Sequence, residues 1–74
     1  MEIRRQLGLN LQRLRREKGW SQEDLFLESG IHRTYISGIE RGIRNPTITI
    51  VAKLAKTLGK TMGDLLDPPP RKGR

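Results

Sequence analysis

Cysteine is absent from this chain of 74 residues, and histidine occurs once, at His32. The first absence excludes a disulfide scaffold, a cysteine-based zinc site and a catalytic thiol. The second leaves His32 without a partner for a metal cluster or a nucleophile–base pair. No apolar run reaches the roughly 18 residues of a membrane span, and the opening MEIRRQLGLN lacks the continuous apolar segment of a secretory leader. A glycine-rich phosphate loop of the Walker type is also missing. Neither catalysis nor a metal or cofactor is expected, and the cytoplasm is the default location. Acidic side chains are scarce as well: 8, against 15 lysines and arginines, for a formal charge of +7. Such an excess on a short chain favours a polyanionic partner, either nucleic acid or an acidic membrane surface.

What is present reads as helix throughout, without repeats or β-type alternation. Ile3, Leu7, Leu11 and Leu14 recur at steps of four, four and three, so the first segment is an amphipathic helix with that stripe inward. It should end near Lys18, where Gly19 offers a left-handed cap. SQED has the form of a capping box, with Ser21 as cap and Asp24 three residues on, and opens a second helix over about residues 22–28. Gly30 stops it, and a third helix starts near Arg33 after a few residues, the spacing of a helix-turn-helix. Gly42 ends the third helix and Pro46 holds Asn45 extended. Thr47 caps a fourth helix with Ile48, Val51, Ala55 and Leu58 on one face and Leu54 beside them. Gly59 stops it, and TMGD opens a short fifth helix through Leu65 and Leu66. The expectation is an all-α, compact five-helix domain over residues 1–67. Residues 68–74 form a proline-rich basic tail that cannot be helical through its prolines. A core this small supplies only a few kcal/mol, so dimerisation is a plausible aid.

The third helix carries the most informative pattern. At about 100° per residue, Arg33, Thr34, Ser37, Gly38 and Arg41 fall within about 140° of arc, with no large apolar side chain among them. Tyr35, Ile36 and Ile39 fall opposite, with Glu40 at the border. One face looks inward; the other suits a surface that is approached closely and hydrogen-bonded. An arginine in the first turn, Arg33, can bond a guanine edge with two donors, and Thr34 and Ser37 can meet bases or a thymine methyl. Gly38 lets the backbone come close, which explains a helix position that otherwise costs about 1 kcal/mol relative to alanine.

From Leu14 to Leu66 the segments LRREKGWSQEDL, Gly30, YISGIERG and NPT together resemble the XRE, or phage-repressor and Cro-type, helix-turn-helix family. RTYISGIERGIRNPT is especially similar to restriction–modification controller proteins, small dimeric regulators. The resemblance implies a repressor-like fold in which the third helix enters the major groove while the second crosses the DNA backbone. It implies base contacts from Arg33, Thr34, Ser37 and Gly38. Backbone contacts would come from Gln22 at the start of the second helix, and Arg41, Arg44 and Asn45 at and beyond the end of the third; the helical angle of Tyr35 suits either packing with its hydroxyl toward a phosphate or a flexible aromatic at the groove edge. His32 stands where it can cap the third helix or touch a phosphate. The family commonly joins the positions of Arg15 and Glu40 by a buried ion pair, so both are assigned a structural role. A dimer contact is expected around Ile50, Met62 and Leu65, on double-stranded DNA with a pseudo-palindromic operator, regulating the chain's own promoter or a restriction–modification operon.

Two positions depart from the family pattern. Phe26 replaces the usual alanine between the two motif helices, so either the helices spread or Phe26 turns outward beside Leu27. Lys60 stands where an apolar residue is common. The competing function is an antitoxin-type protein-binding module that neutralises a partner toxin, although little surface exists here beyond the motif. A membrane-surface role for the basic first helix conflicts with the use of its apolar stripe in the core, and no spare volume suggests a small-molecule ligand.

Overall fold

Each helix begins on a side chain that satisfies the free N–H groups of its first turn. In the computed structural model, which describes residues 2–69, Glu2, Ser21, His32, Thr47 and Thr61 are the five caps. The helices they open are α1 (Ile3–Glu17), α2 (Gln22–Ser29), α3 (Arg33–Glu40), α4 (Ile48–Leu58) and α5 (Met62–Leu66). Ser21 and Asp24 form the reciprocal box expected of them, as do Thr61 and Asp64. The architecture is all-α, with no strand among the described residues. The part of the expected basic tail at residues 70–74 lies outside those described.

α1 runs across α3 and α5, α2 packs on α3 and α4, and α4 closes on α5. Leu7, Leu11 and Leu14 of α1 meet Leu25, Ile31, Ile36 and Ile39 of the motif and Val51, Leu54, Ala55, Leu58 and Leu65 beyond it in one core. The stripe therefore starts at Leu7, not at Ile3, and the buried face of α4 starts at Val51. Ile3 and Ile48, in the first turns of their helices, stay exposed at the rim of a shallow apolar groove beside Pro46, Met62 and Leu66.

Two features of α1 have no counterpart in the sequence reading. Gly8 sits under the end of α3: a Cβ there would press on the Ile39 carbonyl oxygen and lie 2.7 Å from that of Glu40. The missing side chain lets the two backbones touch. Asn10, fully buried, donates through Nδ2 to the carbonyls of Leu65 and Asp67, each at 2.7 Å, and Gln6 donates to that of Leu66 at 2.6 Å. Carbonyls at a helix C-terminus lack partners within the helix. These amides supply them and bind the short α5 to the long α1.

Candidate nucleic-acid interface

The turn between α2 and α3 is fixed at each of its residues. Gly30 ends α2 at φ +78°, a left-handed conformation, while its N–H donates to the Phe26 carbonyl at 2.8 Å. Ile31 is buried and its N–H donates to Ser29 Oγ at 3.0 Å. His32 then caps α3 by accepting the Thr34 N–H at Nδ1, 3.1 Å away. Phe26 is half-buried against the core and leans on the His32 ring, with centroids 5.3 Å apart and planes at 43°. The larger residue is thus accommodated at the turn itself, by stacking on the cap of the next helix.

With Ile36 and Ile39 sealed in the core, α3 presents Arg33 and Thr34 exposed and Ser37 half-exposed. These three line a shallow cleft of about 250 Å³ together with Gln22 and Arg41, so α2 and α3 contribute to a single polar surface. Arg33 Nε lies 3.5 Å from Glu23 Oε1, both side chains being more than half exposed. Beyond α3, the loop folds back through bonds from the Gly42 N–H to the Ile39 carbonyl and from the Ile43 N–H to the Gly38 carbonyl, each 3.0 Å. Arg44 and Asn45 are exposed on that loop, and the Arg44 guanidinium lies over the Tyr35 ring, 5.4 Å from its centroid.

Two residues expected at contacts are buried within this chain. Gly38 is buried, because the stem of Arg44 lies across it: a Cβ at residue 38 would stand 2.5 Å from Arg44 Cγ. The absent side chain admits an arginine of the same chain, on the face where close approach of the helix backbone to DNA is expected. Leu65 is completely buried in the chain's own core. Of the other two residues expected at that contact, Ile50 and Met62 are partly buried against the core. The large apolar side chains exposed in their neighbourhood, Ile3 and Ile48, were read from sequence as core.

Arg15 and Glu40 meet in a two-pronged pair, Nε to Oε2 at 2.7 Å and Nη2 to Oε1 at 2.9 Å. Their side chains are only 8% and 2% exposed. Arg15 also donates through Nη1 to the Trp20 carbonyl at 2.7 Å. The Glu40 hydrogen bonds outweigh burial and push the Arg15 pKa up from its ordinary value, so its charge is fixed at any workable pH. Gln22 joins the same cluster: its Nε2 donates to Glu40 Oε1 at 3.0 Å. The amide expected to face outward alone is therefore held from behind by the pair that joins α1 to α3.

Against known proteins, the helix-turn-helix family HTH_3 matches residues 11–65. Control protein C.BamHI of Bacillus amyloliquefaciens is 46% identical over 66 residues, spanning 88% of this chain and 82% of its own. The crystal structure of the hypothetical transcription factor NHTF from Neisseria superposes with a TM-score of 0.88 at 40% identity, over 92% of this chain and 78% of that one. The restriction–modification controller protein C.Esp1396I, solved as a tetramer in complex with its natural 35 base-pair operator, superposes with a TM-score of 0.77 at 39% identity, over 82% and 80% of the two chains.

Proposed function

We propose, from the premise that this chain belongs to the HTH_3 helix-turn-helix family, that it is a sequence-specific DNA-binding transcriptional regulator acting on an operator as a homodimer or a pair of dimers. Its targets are the genes of a restriction–modification system or its own promoter, as the names of its relatives suggest. The role is one of binding, with no reaction step, and belongs to the cytoplasm. The observation that carries it is the outer face of α3: an arginine, a threonine and a serine beside the polar start of α2, on a helix capped at one end and ion-paired at the other. A rigid helix with small polar side chains suits the major groove, which is wide enough to admit it.

In this reading Arg33, Thr34 and Ser37 meet base edges. Gln22, Tyr35, Arg41, Arg44 and Asn45 meet sugar and phosphate, which set register and carry no sequence information themselves. The helix and loop around Ile48, Ile50 and Met62 supply the contact between protomers. Nothing in the fold or the relatives favours the toxin-neutralising alternative. Selection of bound sequences from random duplex DNA, at a stated salt concentration, tests the proposal. A two-fold-related pair of half-sites about 34 Å apart is expected; equal affinity for every duplex overturns it.

A further inference from the structure

Glu23 and Arg33 form an ion pair across the motif, from the first turn of α2 to the first residue of α3. Both are more than half exposed, and such pairs contribute little to stability. Arg33 does not need a partner to stay charged, and Glu23 does not close a cap, since Ser21 and Asp24 form the box alone. What the pair biases is direction. Glu23 Oε1 faces Nε of Arg33 at 3.5 Å, which leaves both terminal nitrogens of the guanidinium free. Those two nitrogens form the fork that matches the paired acceptors of a guanine edge. An arginine with an unrestrained stem has many rotamers to lose on binding, and restraint before contact reduces that loss.

We propose that Glu23 is a positioning residue for Arg33: from the side, it aims the fork at a guanine, and so sets specificity without touching DNA itself. The inference rests on the proposed reading of DNA by α3. A second consequence is electrostatic. A carboxylate beside the DNA-facing start of α2 repels phosphate, so it lowers affinity for all sequences while sharpening preference for one base pair.

The test measures affinity of the full chain for its selected operator and for every single base-pair variant of one half-site, using the parent, Arg33→Ala, Glu23→Gln, Glu23→Asp and the double change Glu23→Gln with Arg33→Ala. Glu23→Asp keeps the first-turn charge but is too short to reach Nε. Both Glu23 variants are expected to lose roughly two- to fivefold of the discrimination at the base pair that Arg33→Ala relaxes, the scale of an exposed ion pair, and none elsewhere. Glu23→Gln alone is expected to bind all sequences more tightly, and the double variant to discriminate no worse than Arg33→Ala. If Arg33→Ala relaxes one base pair while Glu23→Gln and Glu23→Asp keep the parent's profile, the positioning role is overturned and the reading of DNA stands. If Arg33→Ala leaves the profile unchanged, base reading by that residue fails and the role of Glu23 falls with it. A loss of discrimination spread evenly over all positions also overturns the proposal, because it marks a structural effect.

Discussion

Arg33 and Gly38 lie little more than one helical turn apart, yet substitution should expose different physics at each. Removing the guanidinium with Arg33→Ala should reduce discrimination by about 1–3 kcal/mol at one base pair per half-site, read from binding to single-position operator variants. Gly38→Ala acts through a neighbour. Its methyl group would displace the Arg44 stem, which lies 2.5 Å from that position, while alanine favours the helix by up to about 1 kcal/mol. The expected outcome is weaker binding to all sequences at unchanged or higher melting temperature, with Gly38→Ala resembling Arg44→Ala in a salt titration. Parental binding by Gly38→Ala would show that Arg44 finds another path. The sequence alone could identify Gly38 as a position kept small, because helix-breaking residues in mid-helix stand out. It could not say what fills the space, since Arg44 arrives through a loop whose course depends on two backbone bonds made after α3 ends.

Among the elements, caps and stops were legible because they are local. Ser21, Thr47, Thr61 and the glycines that follow the first four helices act within a few residues, and the five helices lie where those signals put them. Burial at helix starts was not legible. Ile3 and Ile48 fit their stripes by periodicity, but first turns project past the core, and only the packing of neighbours decides which side chain is covered. Gly8 and Asn10 carry no local signal for a related reason: their roles are contacts with α3 and α5, distant in sequence. Gly8→Ala should destabilise the fold by forcing α1 off the carbonyls of Ile39 and Glu40, on the scale of an overpacked core, about 1–3 kcal/mol; an unchanged thermal midpoint would mean that α1 shifts freely. In α5, bonding to the backbone N–H and the side chain of Thr61 holds the Asp64 carboxyl below its ordinary pKa. A depressed carboxylate stabilises the fold above its unfolded value, about 3.9, and loses that contribution as pH falls through the folded one. Asp64→Asn should therefore lower stability near neutrality and flatten the decline below about pH 4, as followed by circular dichroism.

For the whole molecule, the +7 charge sets the strength and salt dependence of binding more than its selectivity. Each phosphate neutralised by an arginine or lysine releases counterions, so the logarithm of affinity falls steeply with the logarithm of salt. Arg44→Ala should reduce the magnitude of that slope by about one, whichever sequence is bound; a change confined to one base pair would move Arg44 into the reading set. Composition made the polyanionic partner legible from the outset. The placement of charge was legible only in part, because several arginines have internal duties: Arg15 is buried in its pair, and Arg4 and Arg13 bond to Glu2 and to Glu17 and Asn10.

The link between Arg15 and Glu40 also has a polarity that its charges alone do not reveal. Each residue has a third hydrogen bond outside the pair, the arginine to the Trp20 carbonyl and the glutamate from the Gln22 amide; the first neighbour accepts and the second donates. Exchanging the two residues would restore opposite charges but set a carboxylate against the main-chain carbonyl, whereas the Gln22 amide can turn its oxygen toward a guanidinium. The swapped molecule should thus fold less well than the parent, because the Trp20 carbonyl belongs to the main chain and no substitution at residue 20 turns it into a donor.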